Sequence, residues 1–502
     1  MRLHRGMVGL LIGLVSVLAC AATVPAGGGA GRHEVPGPVR DRLARHHIPQ
    51  RDVSIYVRRV TGPDPAVLTV NATDPRNPAS VIKLLTTLAT LDELGPSYSW
   101  KTKAYVDGDL RRGRLKGDLY IKGYGDPYLT PESFWSFVHA LRNRGLRTVR
   151  GDLVLDDRYF AAEAGDRGDF DGRPQRAYNA LPYALSLNFQ ATRVHLVPDR
   201  ESRLVRVFSE PTLENLTIHN RLKPVSGPCR RSRAHPTFTV SDGARGAIIT
   251  LSGQYSTQCD ELTYTRLVMD PAAHVGGAFE AMWHDSGGIL SGKLRQGAVP
   301  EGAELYYVMP SRPLGEVIRG MNKYSNNLMS RLLFLSLGAE RFGPPGTLSK
   351  GRDAVAAWLE EAGLHMPELV MENGAGLSRR TRISAQHVGE LLRLAYASPV
   401  MPEFMASLSV LGVDGTLRRR LRETPLAGRI HAKTGSLNDV SAMAGYVLDR
   451  AERRWIVVLL INHKGVAAWQ GKQVQDALLQ WVYEGPEPAI LRGGVKMAAQ
   501  PP

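Results

Sequence analysis

Ser80-Val81-Ile82-Lys83 is the stretch on which the reading of this 502-residue chain turns. Nowhere else does a lysine follow a serine at i+3, and one helical turn puts the two side chains on one face. A serine hydroxyl becomes a useful nucleophile when a neighbouring base takes its proton, and a lysine serves as that base only with a lowered pKa. Val81, Ile82, Leu84, Leu85, Leu88, Leu91 and Leu94 surround the pair with hydrocarbon, which disfavours the charged ammonium. Taken alone the pattern also fits a core helix with one snorkelling lysine, since chance supplies roughly one Ser-x-x-Lys in a chain this long. Its companions decide the matter.

Two further motifs follow in order. Ser325 and Asn327 in Tyr324-Ser325-Asn326-Asn327 form Ser-x-Asn, and Lys433-Thr434-Gly435 is the only Lys-Ser/Thr-Gly of the chain. The ordered trio is that of penicillin-binding proteins and class A β-lactamases. Beyond it, the chain resembles the low-molecular-mass class C penicillin-binding proteins, D-alanyl-D-alanine carboxypeptidase/endopeptidases of the penicillin-binding protein 4 type. Gly117-Asp118-Leu119-Tyr120, Leu185-Ser186-Leu187-Asn188-Phe189, Met321-Asn322-Lys323, Gly376-Leu377-Ser378-Arg379 and Gly412-Val413-Asp414-Gly415-Thr416-Leu417 carry the likeness. It departs at Glu372-Asn373-Gly374-Ala375-Gly376, where Ala375 stands in place of a serine. Tyr324-x-Asn326 also reads as the Tyr-x-Asn of class C β-lactamases, but the flanking Met-Asn-Lys and the second asparagine favour the Ser325 register.

The resemblance implies a role for each motif residue. Ser80 attacks a carbonyl with Lys83 as its base, and Ser325 relays a proton between Lys83 and the leaving amine. Asn327 holds the substrate amide and orients Lys83. Lys433 offers a positive charge to a substrate carboxylate, Thr434 adds a hydroxyl, and Gly435 lets the substrate backbone approach closely. The main-chain N–H groups of Ser80 and Ser436 form an oxyanion hole. The expected substrates are peptidoglycan stem peptides and their cross-links, with β-lactams as covalent inhibitors and with neither cofactor nor metal. A β-lactamase-like hydrolase is the second reading, opposed by the lack of a Glu-x-x-Leu-Asn segment. A non-catalytic envelope scaffold is the third.

The expected fold class is α+β. Residues 53–60 and 66–70 alternate around a Gly62-Pro63-Asp64-Pro65 turn and read as a hairpin. Residues 428–433, 440–448 and 455–461 read as three strands, followed by a helix over 467–482. Both chain ends thus supply one antiparallel sheet flanked by helices, and the resemblance implies that this is a transpeptidase-like domain over 33–97 and 305–485. Between the first and second motifs lies far more chain than a loop uses. Residues 98–304 show short strands with Gly and Asp turns, an inserted β-rich accessory region, and 486–502 read as a flexible tail.

Residues 1–22 carry two arginines, an apolar run and small residues, the pattern of a secretory leader too short to span a membrane. The expected location is therefore exported and periplasmic. Val17-Leu18-Ala19-Cys20 also resembles a lipobox, which would leave Cys20 acylated. Cys229 and Cys259 remain, an expected disulfide worth about 3 kcal/mol on the chain-entropy estimate. The 63 basic and 48 acidic residues give a net charge of +15. The basic residues are scattered and no nucleic-acid-binding module accompanies them, so nucleic acid is not an expected partner. Gly287 to Lys293 has the spacing of a phosphate loop, but Leu294 replaces the Ser/Thr metal ligand. His431 reads as a structural strand residue.

Overall fold

This computed structural model describes residues 34–486, apart from 163–164 and 231–233. The leader expected at 1–22, Cys20, and residues 487–502 lie outside the described residues. Among the described residues no helix is long and apolar enough to cross a membrane.

Both ends of the chain meet in one six-stranded sheet. Its order is Ser409–Val410, Ile430–Leu437, Val440–Leu448, Arg454–Asn462, Val53–Arg59 and Leu68–Val70, every pairing antiparallel. The unbroken apolar run from Trp455 to Ile461 follows from burial on both faces, since successive side chains point to opposite sides. Ile456, Val458 and Leu460 pack against helices Lys83–Leu94, Leu314–Tyr324, Asn327–Phe342, Leu348–Glu361 and Ala385–Ala397. Trp455, Val457, Leu459 and Ile461 pack against the terminal helices Gly37–Arg45 and Ala468–Glu484. This is the sheet flanked by helices that the strand patterns at the two chain ends predict.

The motif helix begins one turn later than its spacing suggests. Ala79–Ile82 is a 3-10 turn and the α-helix proper is Lys83–Leu94. In a 3-10 turn the side chains at i and i+3 eclipse, so Ser80 and Lys83 stand directly together. Leu84, Leu85, Leu88 and Leu91 are at most 1% exposed, and burying each contributes about 1.5–3 kcal/mol. Gly95, at φ 77°, closes the helix by donating its N–H to Leu91 O.

The inserted region is built from a seven-stranded mixed sheet and two three-stranded sheets. Among its described residues it also holds the α-helices Pro131–Asn143 and Pro271–Asp285, which the frequent turns of this region obscure in the sequence. One boundary differs from the sequence reading. Strand Glu304–Pro310 pairs antiparallel with Lys101–Arg111, with Pro310 opposite Lys101, so the inserted sheet extends to about residue 310 rather than 304. The short apolar run 305–309 does not by itself say which sheet receives it. Cys229 and Cys259 are disulfide-bonded just beyond the paired parallel strands Leu216–Val225 and Gly246–Ser256.

Candidate active site

The three motifs converge although 244 residues separate Lys83 from Asn327 and 108 separate Ser325 from Lys433. Ser80 sits on a turn held from three directions. Asn77 accepts from the N–H of Ala79, donates through Nδ2 to Ser378 O, and exchanges hydrogen bonds with Asn462 at the end of the sheet. Ala79 has φ 46°, a left-handed conformation costly for a residue with a Cβ and kept here by those surrounding bonds.

Lys83 is fully buried, and its Nζ lies 2.9 Å from Ser80 Oγ and 2.8 Å from Asn327 Oδ1, with Ala375 O as a third partner. Burial lowers its pKa well below that of an ordinary lysine, and the nearby Lys433 charge lowers it further. A neutral amine has two N–H donors and one lone pair. Ala375 O and Asn327 Oδ1 only accept, so they take the two donors and leave the lone pair facing the Ser80 hydroxyl. Asn327 Nδ2 donates to Tyr178 O, which fixes the orientation of its amide. The substitution at Ala375 is accommodated because the main-chain carbonyl of this residue, not its side chain, meets Lys83.

Ser325 caps helix Leu314–Tyr324 in the left-handed conformation, φ 57° and ψ 39°. Its Oγ accepts from Lys433 Nζ at 2.7 Å, and Lys433 also donates to Thr434 O at 2.8 Å. Ser325 is thus paired with the third-motif lysine, where the resemblance pairs it with Lys83. Lys433 is fully buried and burial pulls its pKa down to about 7. Buried beneath the cleft, this amine faces Ser325 Oγ. Gly435 is also required by the packing within the chain. A Cβ there would stand 2.5 Å from Pro78 O and 3.0 Å from Ser80 N, so glycine lets the strand pass against the Ser80 turn itself.

The loop 412–417 braces the second and third motifs. Lys323 Nζ donates to Leu408 O at 2.9 Å and to Asp414 Oδ2 at 2.5 Å. Two residues on, Thr416 Oγ1 lies 3.0 Å from Thr434 Oγ1. Asn322, also buried, donates to Thr87 Oγ1 and Ser407 Oγ. His431 lies in the strand two residues before Lys433, and burial lowers its pKa.

Ser80, Ser325, Asn327 and Ser436 line an open cleft of about 560 Å³, with Lys83 and Lys433 beneath its floor. The far wall comes from the inserted region, which motif spacing does not reach. Asp171 accepts from Tyr178 OH at 2.6 Å and from Asn179 Nδ2 at 2.8 Å. The Arg379 guanidinium lies 4.9 Å from the centre of the Phe170 ring and donates to Asn438 O. The one sequence signal for this wall is the dense charge and glycine of residues 165–173, which lacks any periodicity.

Comparison with known proteins agrees with this geometry. The chain is 31% identical over 440 residues to a D-alanyl-D-alanine carboxypeptidase of Actinomadura sp., covering 84% of this chain and 80% of that one. It is 23% identical over 405 residues to the D-alanyl-D-alanine carboxypeptidase DacB of Haemophilus influenzae, covering 80% and 84%. The crystal structure of penicillin-binding protein 4 from H. influenzae superposes with a TM-score of 0.73 at 21% identity, covering 89% of this chain and 99% of that one. A second structure of that protein, complexed with a β-lactam, superposes at 0.68 with 20% identity and the same coverage. The family model for D-Ala-D-Ala carboxypeptidase 3 matches residues 37–484. With its three motifs assembled on a transpeptidase-like sheet, the chain belongs to the D-Ala-D-Ala carboxypeptidase 3 (S13) family, serine-type carboxypeptidases of the low-molecular-mass class C penicillin-binding kind.

Proposed function

We propose that Ser80 is the nucleophile of an acyl-enzyme reaction on peptidoglycan stem peptides. The observation that carries this reading is Lys83 Nζ, buried 2.9 Å from Ser80 Oγ with two acceptor-only groups, Asn327 Oδ1 and Ala375 O, as its other partners. Ser80 gives its proton to Lys83 and bonds to the carbonyl carbon of the penultimate D-Ala. The C–N bond breaks, and the departing amine takes a proton from Ser325, which Lys433 replenishes. Water then enters where the amine left. It passes a proton through Ser325 to Lys433, its oxygen bonds to the acyl carbon, and Ser80 recovers its own proton from Lys83. One charge moves from Lys433 to Lys83 and back, so the enzyme is restored. The N–H groups of Ser80 and Ser436 hold the oxyanion, and Thr434 receives the substrate carboxylate.

If the leaving amine belongs to a neighbouring stem, the same steps open a cross-link, an endopeptidase activity. β-Lactams acylate Ser80 as substrate mimics, a reading supported by the β-lactam complex of the H. influenzae protein. Export to an oxidising compartment is supported by the leader-like residues 1–22 and by the Cys229–Cys259 bond.

The test is mass spectrometry after brief exposure to benzylpenicillin, comparing wild type with Ser80→Ala. A lasting adduct on the Ser80 peptide, missing in the variant, is expected. Rapid turnover of the drug without an adduct would favour the β-lactamase-like hydrolase. Neither adduct nor turnover would favour the scaffold.

A further inference from the structure

A second cavity, about 260 Å³, meets the catalytic residues from another direction. Ser325, Asn327 and Tyr178 line it as well as the main cleft, while Phe189, Arg193 and Tyr324 line only this one. Ser80 and Ser436, which would hold the acyl group, are absent from its walls. The cavity therefore adjoins the group that faces the departing amine.

Its wall is strained. Asn188, Phe189 and Gln190 have φ of 47°, 56° and 59°, three consecutive left-handed residues, none of them glycine. Such a turn persists only where its surroundings over-determine it. Here Asn188 N donates to Leu129 O and its Nδ2 to Ala191 O, while Gln190 Nε2 donates to Leu181 O and Ser186 Oγ. Phe189 is braced edge-on by Tyr128, with ring centres 5.8 Å apart. The Leu185–Phe189 stretch, prominent in the sequence, thus builds this cavity rather than the acyl side of the cleft. At the rim, Arg193 rests 3.4 Å from Glu210 with 45% of its side chain exposed, and Tyr324 is 72% exposed. A leaving D-Ala has no need of such a space. A leaving stem peptide, several residues long and carrying free carboxylates, does.

We propose that this cavity is the subsite for the departing stem of a cross-link, with Arg193 pairing a carboxylate of that stem and Phe189 and Tyr324 flanking its chain. The assignment rests on the acyl-enzyme reading above and deepens its endopeptidase half.

The test compares Arg193→Ala and Arg193→Lys with wild type on two purified substrates, a single stem pentapeptide and a cross-linked stem dimer. Rates are taken per benzylpenicillin-acylated site, so that misfolded protein is not counted. The expected result is a fall of about tenfold in the ratio of dimer to pentapeptide kcat/KM in Arg193→Ala, the size of one charge-assisted hydrogen bond, with partial recovery in Arg193→Lys. An unchanged ratio in variants of an enzyme that cleaves the dimer would overturn the subsite and leave the acyl-enzyme reading standing. A wild-type enzyme that trims the pentapeptide but never cleaves the dimer would overturn both the subsite and the endopeptidase half.

Discussion

Lys433→Met separates the catalytic value of the buried third-motif lysine from its effect on stability. With its pKa pulled from 10.5 to about 7, Lys433 takes up a proton when the chain unfolds anywhere between those values. Its contribution is fully present above pH 10.5, declines as pH falls, and is fully lost at about pH 7. Over that window the linkage amounts to about 5 kcal/mol, at about 1.4 kcal/mol per pH unit. Methionine fills a similar volume and never charges. It forfeits the bonds to Ser325 Oγ and Thr434 O, and the orphaned carbonyl costs about 1–3 kcal/mol. At pH 7 the variant is therefore more stable than wild type by about 2–4 kcal/mol, and the advantage reverses between about pH 8 and 10. Its carboxypeptidase activity is lost. Urea unfolding followed by circular dichroism at pH 7, 8, 9 and 10 measures the difference. A stability gap that stays constant across that range would refute the reasoning, because it would mean Lys433 keeps its proton in the folded protein.

Two further substitutions probe the supports of the site. Gly435→Ala drives a Cβ to 2.5 Å from Pro78 O, backbone against backbone, and the Ser80 turn must move. We expect the benzylpenicillin acylation rate to fall by about a hundredfold or more, the scale of a nucleophile displaced by an ångström; an unchanged rate in stopped-flow measurements would contradict the close-packing account. Thr416→Val removes the hydroxyl 3.0 Å from Thr434 Oγ1. The expected outcome is a rise in KM of about two- to tenfold with kcat little changed, and recovery in Thr416→Ser, since one neutral hydrogen bond orients Thr434. Equal losses in the serine and valine variants would instead make Thr416 a packing residue.

What the sequence by itself determined are the features written at short range. Ser80 and Lys83 are one turn apart, Lys433-Thr434-Gly435 is contiguous on a strand, and the alternation at both chain ends predicts the central sheet. Only the tertiary structure decided which lysine meets which hydroxyl, because Ser325 and Lys433 come from elements 108 residues apart whose approach no local period encodes. The same holds for the Ala375 carbonyl that accepts a hydrogen bond from Lys83, a main-chain group invisible to any reading of side chains. Gly435 was legible as a site of close approach but not by what, since the intruding backbone is Pro78, 357 positions earlier. The wall at Phe170 and Asp171 and the strand Glu304–Pro310 belong to the same class. Their contacts are set by how the inserted region packs on the catalytic sheet, and hydrophobic periodicity describes an element's buried face without naming its neighbour.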